Sequence, residues 1–108
     1  QKQAQLFRAL SHPVRLRILD ILSRQEACVC HLTAILGKRQ PYVSQQLATL
    51  REAGLVSDRR DGTLIHYSLA DEHLAELLDI GKTVVTIRFF EYSEAPIDLA
   101  ATGFPWIC

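Results

Sequence analysis

The amino-terminal part of the chain places apolar residues at intervals of three and four, the period of an amphipathic helix. The segment QLFRAL predicts a first helix that ends near the sequence SHP. Pro13 fits the first turn of a second helix, where its missing N–H costs nothing, and VRLRILDIL continues that helix to about Arg24. The breadth of its apolar face indicates a core helix.

Two further helices are predicted on either side of a short polar turn. A third helix runs roughly from Cys28 to Leu36, and Gly37 fits its carboxyl-terminal stop. After the sequence GKRQ, Pro41 opens a fourth helix that continues to about Ala53. Two helices joined by a short turn that contains glycine predict a helix-turn-helix.

The pattern changes after Gly54 to that of strands. The segments LVSDRR and LIHYSL predict a β-hairpin, with Asp61–Gly62 as its turn signal. Helical spacing returns from Asp71, although the run TVVTI is locally strand-like. The fold class expected is therefore mainly α with a small β-hairpin.

Composition predicts one compact domain over residues 1–92, followed by a carboxyl-terminal tail over residues 93–108. The chain has 108 residues and is 48% apolar, which is small enough for a partner subunit to complete its core. It has no apolar run long enough for a membrane span, and QKQAQLFRAL lacks the order of a signal peptide, so we expect a cytoplasmic protein without membrane contact. Three cysteines in that setting are expected to be free thiols.

The zero net charge conceals an uneven distribution. Residues 1–70 hold ten Lys and Arg against five Asp and Glu, whereas residues 71–108 hold two against seven. The first part is thus basic and the second acidic. A basic part predicts a polyanion-binding face, with the acidic part turned away from it, although ordinary solvated surface remains the alternative.

The second helix of a helix-turn-helix lies in the DNA major groove and needs short or forked polar side chains that face outward. The first turns of the fourth helix offer such side chains, and cations flank both this helix and the hairpin, where they would meet phosphate. The candidate DNA-binding residues are Lys38, Arg39, Gln40, Tyr42, Ser44, Gln45, Gln46, Arg59 and Arg60.

Four segments resemble the arsenic- and metal-responsive ArsR/SmtB repressors in order and spacing: LSHPVRLRILDIL, EACVCHL, PYVSQQLATLREAGLV and RRDGTLIHYSL. The resemblance covers roughly Leu6 to Leu78. It implies a winged helix-turn-helix homodimer, joined by its first and last helices, that represses a resistance operon and leaves its inverted-repeat operator when an inducer binds. The family's recognition helix usually carries Ser-Gln-His, where this chain has Ser44–Gln45–Gln46.

The same resemblance maps the family's metal box, ELCVCDL, onto Glu26–Leu32, with Cys28 and Cys30 as its two thiolates. Residues two apart on an α-helix point about 200° away from each other, so an intact helix would keep these sulfurs apart. We therefore expect inducer binding to distort the start of the third helix. Since that helix packs against the recognition helix, the distortion would weaken DNA binding.

Two thiolates make an incomplete site, so a third ligand is expected. Some arsenic sensors of the family carry a third cysteine where this chain has Thr33, which leaves Cys108 as the candidate. His31 replaces the aspartate of the box and is a further candidate for a borderline ion such as zinc. The inducers expected are As(III) or Sb(III), with Cd, Pb or Zn as alternatives.

The residues also bear on other sensing chemistries. Asp71 and His73 match half of the family's zinc site on the last helix, but Val84 and Ile87 stand at the other half, so we expect no zinc site there. A redox or reactive-sulfur switch using the same cysteines is the alternative function. A thiol enzyme is not expected, because adjacent helix positions such as Cys30 and His31 face apart.

Overall fold

The computed structural model describes residues 1–91 as five helices and three short strands. In chain order these elements are α1 (Lys2–Leu10), α2 (Pro13–Leu22), β1 (Ala27–Cys28), α3 (Val29–Leu36), α4 (Gln40–Glu52), β2 (Val56–Asp61), β3 (Leu64–Leu69) and α5 (His73–Glu91). The predicted tail, with Cys108, lies outside the described residues.

The predicted helix-turn-helix is formed by α3 and α4. Gly37 ends α3 in the left-handed region, with φ of 64°, and its N–H bonds to the carbonyl of Thr33. Glycine adopts this conformation without the steric cost that a Cβ brings. Arg39 is the extended N-cap of α4, and Pro41 lies in its first turn. These signals place the turn where the sequence predicts it.

The predicted hairpin is confirmed, but it belongs to a three-stranded sheet. β2 and β3 pair antiparallel from Val56↔Leu69 to Asp61↔Leu64, and the strand order is β1-β3-β2. β1 pairs with the far side of β3 through Ala27↔Tyr67 and Cys28↔His66. We call the β2–β3 hairpin the wing. It shares a sheet with the strand that carries Cys28.

The start of α3 corrects a prediction. Cys28 is not helical: it is the N-cap of α3, with extended backbone (φ −88°, ψ 166°), and it forms part of β1. The helix begins one residue later, at Val29. A two-residue strand gives no periodic signal in the sequence, which explains why the helical pattern alone extends through Cys28.

The core joins α2 to the helix-turn-helix. Its largest fully buried side chains come from α2, α3 and α4, and side chains of the wing and α5 close its edges. At roughly 1.5–3 kcal/mol for each fully buried aliphatic side chain, this cluster holds α4 firmly in place. The fully buried members are Ile18, Leu19, Leu32, Val43, Leu47 and Leu50.

The last helix, α5, continues without a break through Gly81 and the run TVVTI, as the helical prediction requires. It contacts α2, and Lys82 forms an ion pair with Asp20 across that contact. Its opposite side leaves Ile80, Val84 and Ile87 at least half exposed. No helix within residues 1–91 is long and apolar enough to cross a membrane.

Candidate nucleic-acid interface and cysteine pair

The exposed surface at the start of α4 carries most of the predicted DNA-binding side chains. Lys38, Arg39, Gln40 and Gln45 are exposed, whereas Ser44 is half-buried. Within residues 1–91, none of these side chains forms a hydrogen bond or an ion pair with a second element. They are therefore available to a groove and to its phosphates.

Two predicted residues on α4, Tyr42 and Gln46, have protein partners. Tyr42 is 36% exposed, and its hydroxyl lies 3.5 Å from Nε2 of His12, the N-cap residue of α2. Burial, with a smaller contribution from the charge of Arg15, lowers the pKa of His12, which favours a neutral imidazole here. Tyr42 is thus positioned by α2.

The outward orientation expected of Gln46 is wrong. Its side chain is 8% exposed, and its amide oxygen accepts a 3.2 Å hydrogen bond from Nη1 of Arg15. The same guanidinium donates to the carbonyl oxygens of Ala9 at 2.7 Å and Arg8 at 3.4 Å. Arg15 therefore joins the end of α1 to α4, and Gln46 anchors α4 from its inner side.

The wing presents Arg59 and Arg60, which differ in their surroundings. Both are exposed, but Arg59 donates to Oε1 of Glu26 and lies 4.0 Å from Oδ2 of Asp61. The hydrogen bond from Arg59 holds the pKa of Glu26 below its usual value, and the same pair raises the pKa of Arg59. Glu26 was not among the predicted residues, because no sequence pattern pairs it with a distant strand.

The structure brings Cys28 and Cys30 together. Their sulfurs lie 2.7 Å apart, with Cys28 half-buried and Cys30 exposed. This contact contradicts the expectation that a helix keeps the two sulfurs apart, since Cys28 is extended and only Cys30 is helical. No distortion of a helix is needed for the thiols to meet.

The two thiols have different acidities. A hydrogen bond from the Cys30 thiol, with help from the backbone N–H of His31, lowers the pKa of Cys28. The same contact with Cys28 raises the pKa of Cys30. The pair therefore favours a thiolate at Cys28 stabilised by a thiol at Cys30.

The cysteine pair suits a soft ion but does not by itself complete a site. Thiolates are the ligands such ions prefer, and these two open to solvent. No group of three or more His, Cys, Asp or Glu side chains within residues 1–91 is placed to hold a metal, so His31 does not join the pair there. Any third ligand would have to come from outside this set.

The half-site at the start of α5 behaves as a helix cap. Oδ1 of Asp71 accepts from the backbone N–H of His73 at 2.8 Å and lies 2.8 Å from Nδ1 of the same residue. These bonds lower the pKa of Asp71 and raise that of His73. Val84 and Ile87 are exposed apolar residues of the same helix and supply no ligand atoms.

Comparison with known proteins identifies this arrangement. Residues 12–58 match the family model of bacterial regulatory proteins of the arsR family, a segment that runs from the N-cap of α2 into β2. The regulator Rv0081 of Mycobacterium tuberculosis is 40% identical over 102 residues, which cover 94% of this chain and 90% of Rv0081. The chain belongs to the ArsR/SmtB family of transcriptional regulators.

Other ArsR/SmtB relatives are matched over part of their length. A transcriptional repressor SmtB homolog of Synechocystis is 47% identical over 77 residues, or 71% of this chain and 58% of that protein. The arsenical resistance operon repressor of Escherichia coli is 46% identical over 67 residues, or 61% and 57%. The chain thus spans less than two thirds of these two relatives.

Solved ArsR/SmtB structures share the fold. The crystal structure of Rv0081 superposes with a TM-score of 0.79 at 37% identity, covering 83% of this chain and 91% of that one. The homodimeric winged helix-turn-helix domain Mb0332 of Mycobacterium bovis gives 0.74 at 31% identity, covering 89% and 88%. The predicted fold class is confirmed, and the relatives are named as transcriptional regulators, in agreement with the prediction of a non-enzymatic protein.

Proposed function

We propose that this ArsR/SmtB protein is a repressor that binds double-stranded DNA and is released by a thiophilic metal or metalloid bound at Cys28 and Cys30. As(III) and Sb(III) are the favoured inducers, with Cd, Pb and Zn as alternatives. The observation that carries the proposal is the 2.7 Å contact between two solvent-accessible sulfurs at the β1–α3 junction. The name of the Escherichia coli relative, an arsenical resistance repressor, supports the choice of inducer.

DNA binding in this proposal uses the exposed start of α4 and the wing. The amides of Gln40 and Gln45 suit adenine edges, while Ser44 and Tyr42 suit phosphates or base edges. Arg60 meets backbone phosphate at the wing, and Lys38 and Arg39 do so before α4. Gln46, which points inward, is left out of this set.

We infer that the repressor acts as a homodimer through α1 and α5. Phe7 on α1 is 48% exposed, and Ile80, Val84 and Ile87 form an apolar stripe along α5. A stripe of this kind is a typical dimer surface, and the structural relative Mb0332 is homodimeric. A two-fold dimer would bind an inverted-repeat operator, one half-site for each recognition helix.

Inducer binding at the pair would require the two sulfurs at the β1–α3 junction to move apart. Bonds of about 2.3 Å to two thiolates at a tetrahedral angle need sulfurs about 3.8 Å apart, which is wider than the contact seen here. Because α3 packs directly on α4, a change at its start bears on the recognition helix. Cys108 is proposed as the third ligand.

The test is a titration of the fully reduced protein with As(III), and separately with Cd and Zn, following thiolate charge-transfer absorbance and the number of thiols protected. We expect three protected thiols for each As(III), two in Cys108→Ser, and release of a labelled operator duplex at the same equivalence point. His31→Asn is the matched control and should leave the titration unchanged. If none of these ions protects Cys28 and Cys30, the proposal is overturned.

A second candidate function, a redox-sensing repressor, is favoured by the same sulfur contact. With Cys28 outside the helix, the two thiols are placed to form a disulfide directly, without Cys108. The Cys28 thiolate would attack an oxidised sulfur or a peroxide, and Cys30 would close the bond, so that two thiols lose two protons and two electrons to the oxidant. Loss of two hydrogen atoms in the mass spectrum and DNA release without any metal would support this candidate.

A further inference from the structure

The ion pair between Glu26 and Arg59 joins the cysteine box to the wing. Oε1 of Glu26 accepts from Nη2 of Arg59, and Nδ1 of His66 lies 4.0 Å from the same oxygen. The side chains of Glu26 and Arg59 are 40% and 56% exposed. Exposed pairs of this kind add little to stability, about 0–1 kcal/mol, so a stabilising role does not account for the contact.

The sheet register places the members of this contact beside the cysteine pair. His66 on the central strand is directly opposite Cys28 of β1 on one side and Arg59 of β2 on the other. Residues directly opposite in an antiparallel sheet share a face, so these three side chains form one row across the sheet. Glu26 precedes Cys28 by two residues and reaches Arg59 at the end of that row.

Glu26 and DNA phosphate would compete for Nη2 of Arg59, whereas Asp61 lies 4.0 Å from its Nη1. A carboxylate and a phosphate are both anionic acceptors for a guanidinium. An Arg side chain held by Glu26 does not release counterions from DNA, whereas Arg60 has no ion pair with any residue between positions 1 and 91 and is not restricted in this way. Because the ion pair is exposed, exchange of carboxylate for phosphate costs little.

We propose that Glu26 is a positioning residue that competes with DNA phosphate for Arg59 and so links occupation of the cysteine pair to the wing. An inducer that fixes Cys28 also fixes Glu26 two residues upstream. When the Glu26 side chain is already ordered, the ion pair with Arg59 costs less conformational entropy and becomes more stable. A more stable ion pair favours the form of the protein that is not bound to DNA. The link to the inducer rests on the proposed function, whereas the competition for Arg59 needs only DNA binding.

The competition is tested with reduced, inducer-free protein and a fluorescein-labelled duplex that the protein has selected from a random-sequence pool. Glu26→Gln should tighten binding roughly two- to fivefold. It should also steepen the dependence of log K on log salt by about 0.9, the contribution of one phosphate contact. In the Arg59→Gln background the same change should have no effect.

One control variant separates this effect from a simple loss of negative charge. Glu52→Gln removes a carboxylate from the exposed end of α4, which has no ion pair among the described residues, and it should leave the salt slope unchanged. If Glu26→Gln tightens binding equally with and without Arg59, or does not change the slope, the competition does not exist. Circular dichroism melts of each variant establish that they are folded.

The link to the inducer is tested by loading the same variants with As(III). The fold-loss of DNA affinity on loading should be smaller in Glu26→Gln than in the parent, while thiolate absorbance stays the same. An equal fold-loss in both proteins would refute the link. If the thiols bind no As(III) in the parent, the proposed function fails, yet the salt-slope result still decides whether Glu26 restrains Arg59.

Discussion

Replacement of Arg15 by methionine should destabilise the protein through the recognition helix. Arg15 donates to the carbonyl oxygens of Ala9 and Arg8 and to the amide oxygen of Gln46. Methionine keeps much of the length of the side chain and removes all three donors. The loss of stability differs between these acceptors, because the carbonyl of Arg8 lies at an exposed contact whereas the side chain of Gln46 is buried.

The size of the effect follows from these surroundings. A hydrogen bond from a charged donor contributes about 1.5–3 kcal/mol, and a buried acceptor left without a partner costs about 1–3 kcal/mol. Water can replace Arg15 as the donor to the exposed carbonyl oxygen of Arg8, so the loss of that bond adds little. We therefore expect Arg15→Met to lower the free energy of unfolding by about 2–4 kcal/mol. Gln46→Met leaves Arg15 its two carbonyl acceptors and should cost about 1–2 kcal/mol.

The double variant isolates the contact between the two side chains. With both partners apolar, no buried acceptor remains unsatisfied, so the double variant should be about 1 kcal/mol more stable than the sum of the single effects predicts. Urea unfolding at one fixed protein concentration provides the measurement, because dissociation of the proposed dimer would make stability depend on concentration. Arg8→Met, which removes an exposed charge from α1, is the matched control and should stay within about 0.5 kcal/mol of the parent.

Additive single effects would refute the reasoning. A coupling energy near zero would mean that Gln46 finds another donor and does not depend on Arg15. A change below about 0.5 kcal/mol for Arg15→Met would show that α1 and α4 are held together by apolar packing alone. Either result would remove Gln46 as the inner anchor of α4.

Further predictions concern the thiols, the turn and the last helix. In Cys30→Ala the Cys28 thiolate loses its hydrogen-bond donor, so the pKa of Cys28 should rise. The pH at which alkylation of Cys28 by iodoacetamide is half-maximal should rise with it, as measured by site-resolved mass spectrometry. Gly37→Ala forces a Cβ into the left-handed region and should cost about 1–2 kcal/mol in urea unfolding. Val84→Arg, in the apolar stripe of α5, should move sedimentation toward the monomer, whereas the exposed Thr86→Arg on the same helix should not.

The sequence predicts the helix-turn-helix and the wing because local signals agree there. Gly37 marks the end of α3, and Pro41 marks the start of α4. Gly62 has the positive φ of 64° that a tight hairpin requires. Helical spacing also carries α5 through TVVTI, since the buried Leu74 and half-buried Leu77 and Leu78 secure its first part against the core. Tertiary packing thus overrides the local strand preference.

The inward position of Gln46 was open to prediction and was missed. It follows Val43 by three residues and precedes Leu50 by four, which places it within the apolar face of α4. A glutamine in an apolar stripe indicates a buried partner, here Arg15, more strongly than a contact with DNA.

The sulfur contact and the Glu26–Arg59 pair were beyond prediction from local pattern. β1 has two residues, too few for alternation to show, and its partner strand lies far along the chain. Without β1, Cys28 falls into the apparent helix and the two thiols seem to diverge. Only the register of the sheet brings the cysteine box and the wing side by side.

The N-cap position of Cys28 also defines what would have to be copied to install this thiol pair in another scaffold. A helix alone is insufficient, because its own period sets residues two apart on opposite sides. The segment to be transferred is a strand whose last residue directly precedes the first residue of a helix. Insertion of a single residue at that joint would turn the helix by about 100° relative to the strand and separate the sulfurs.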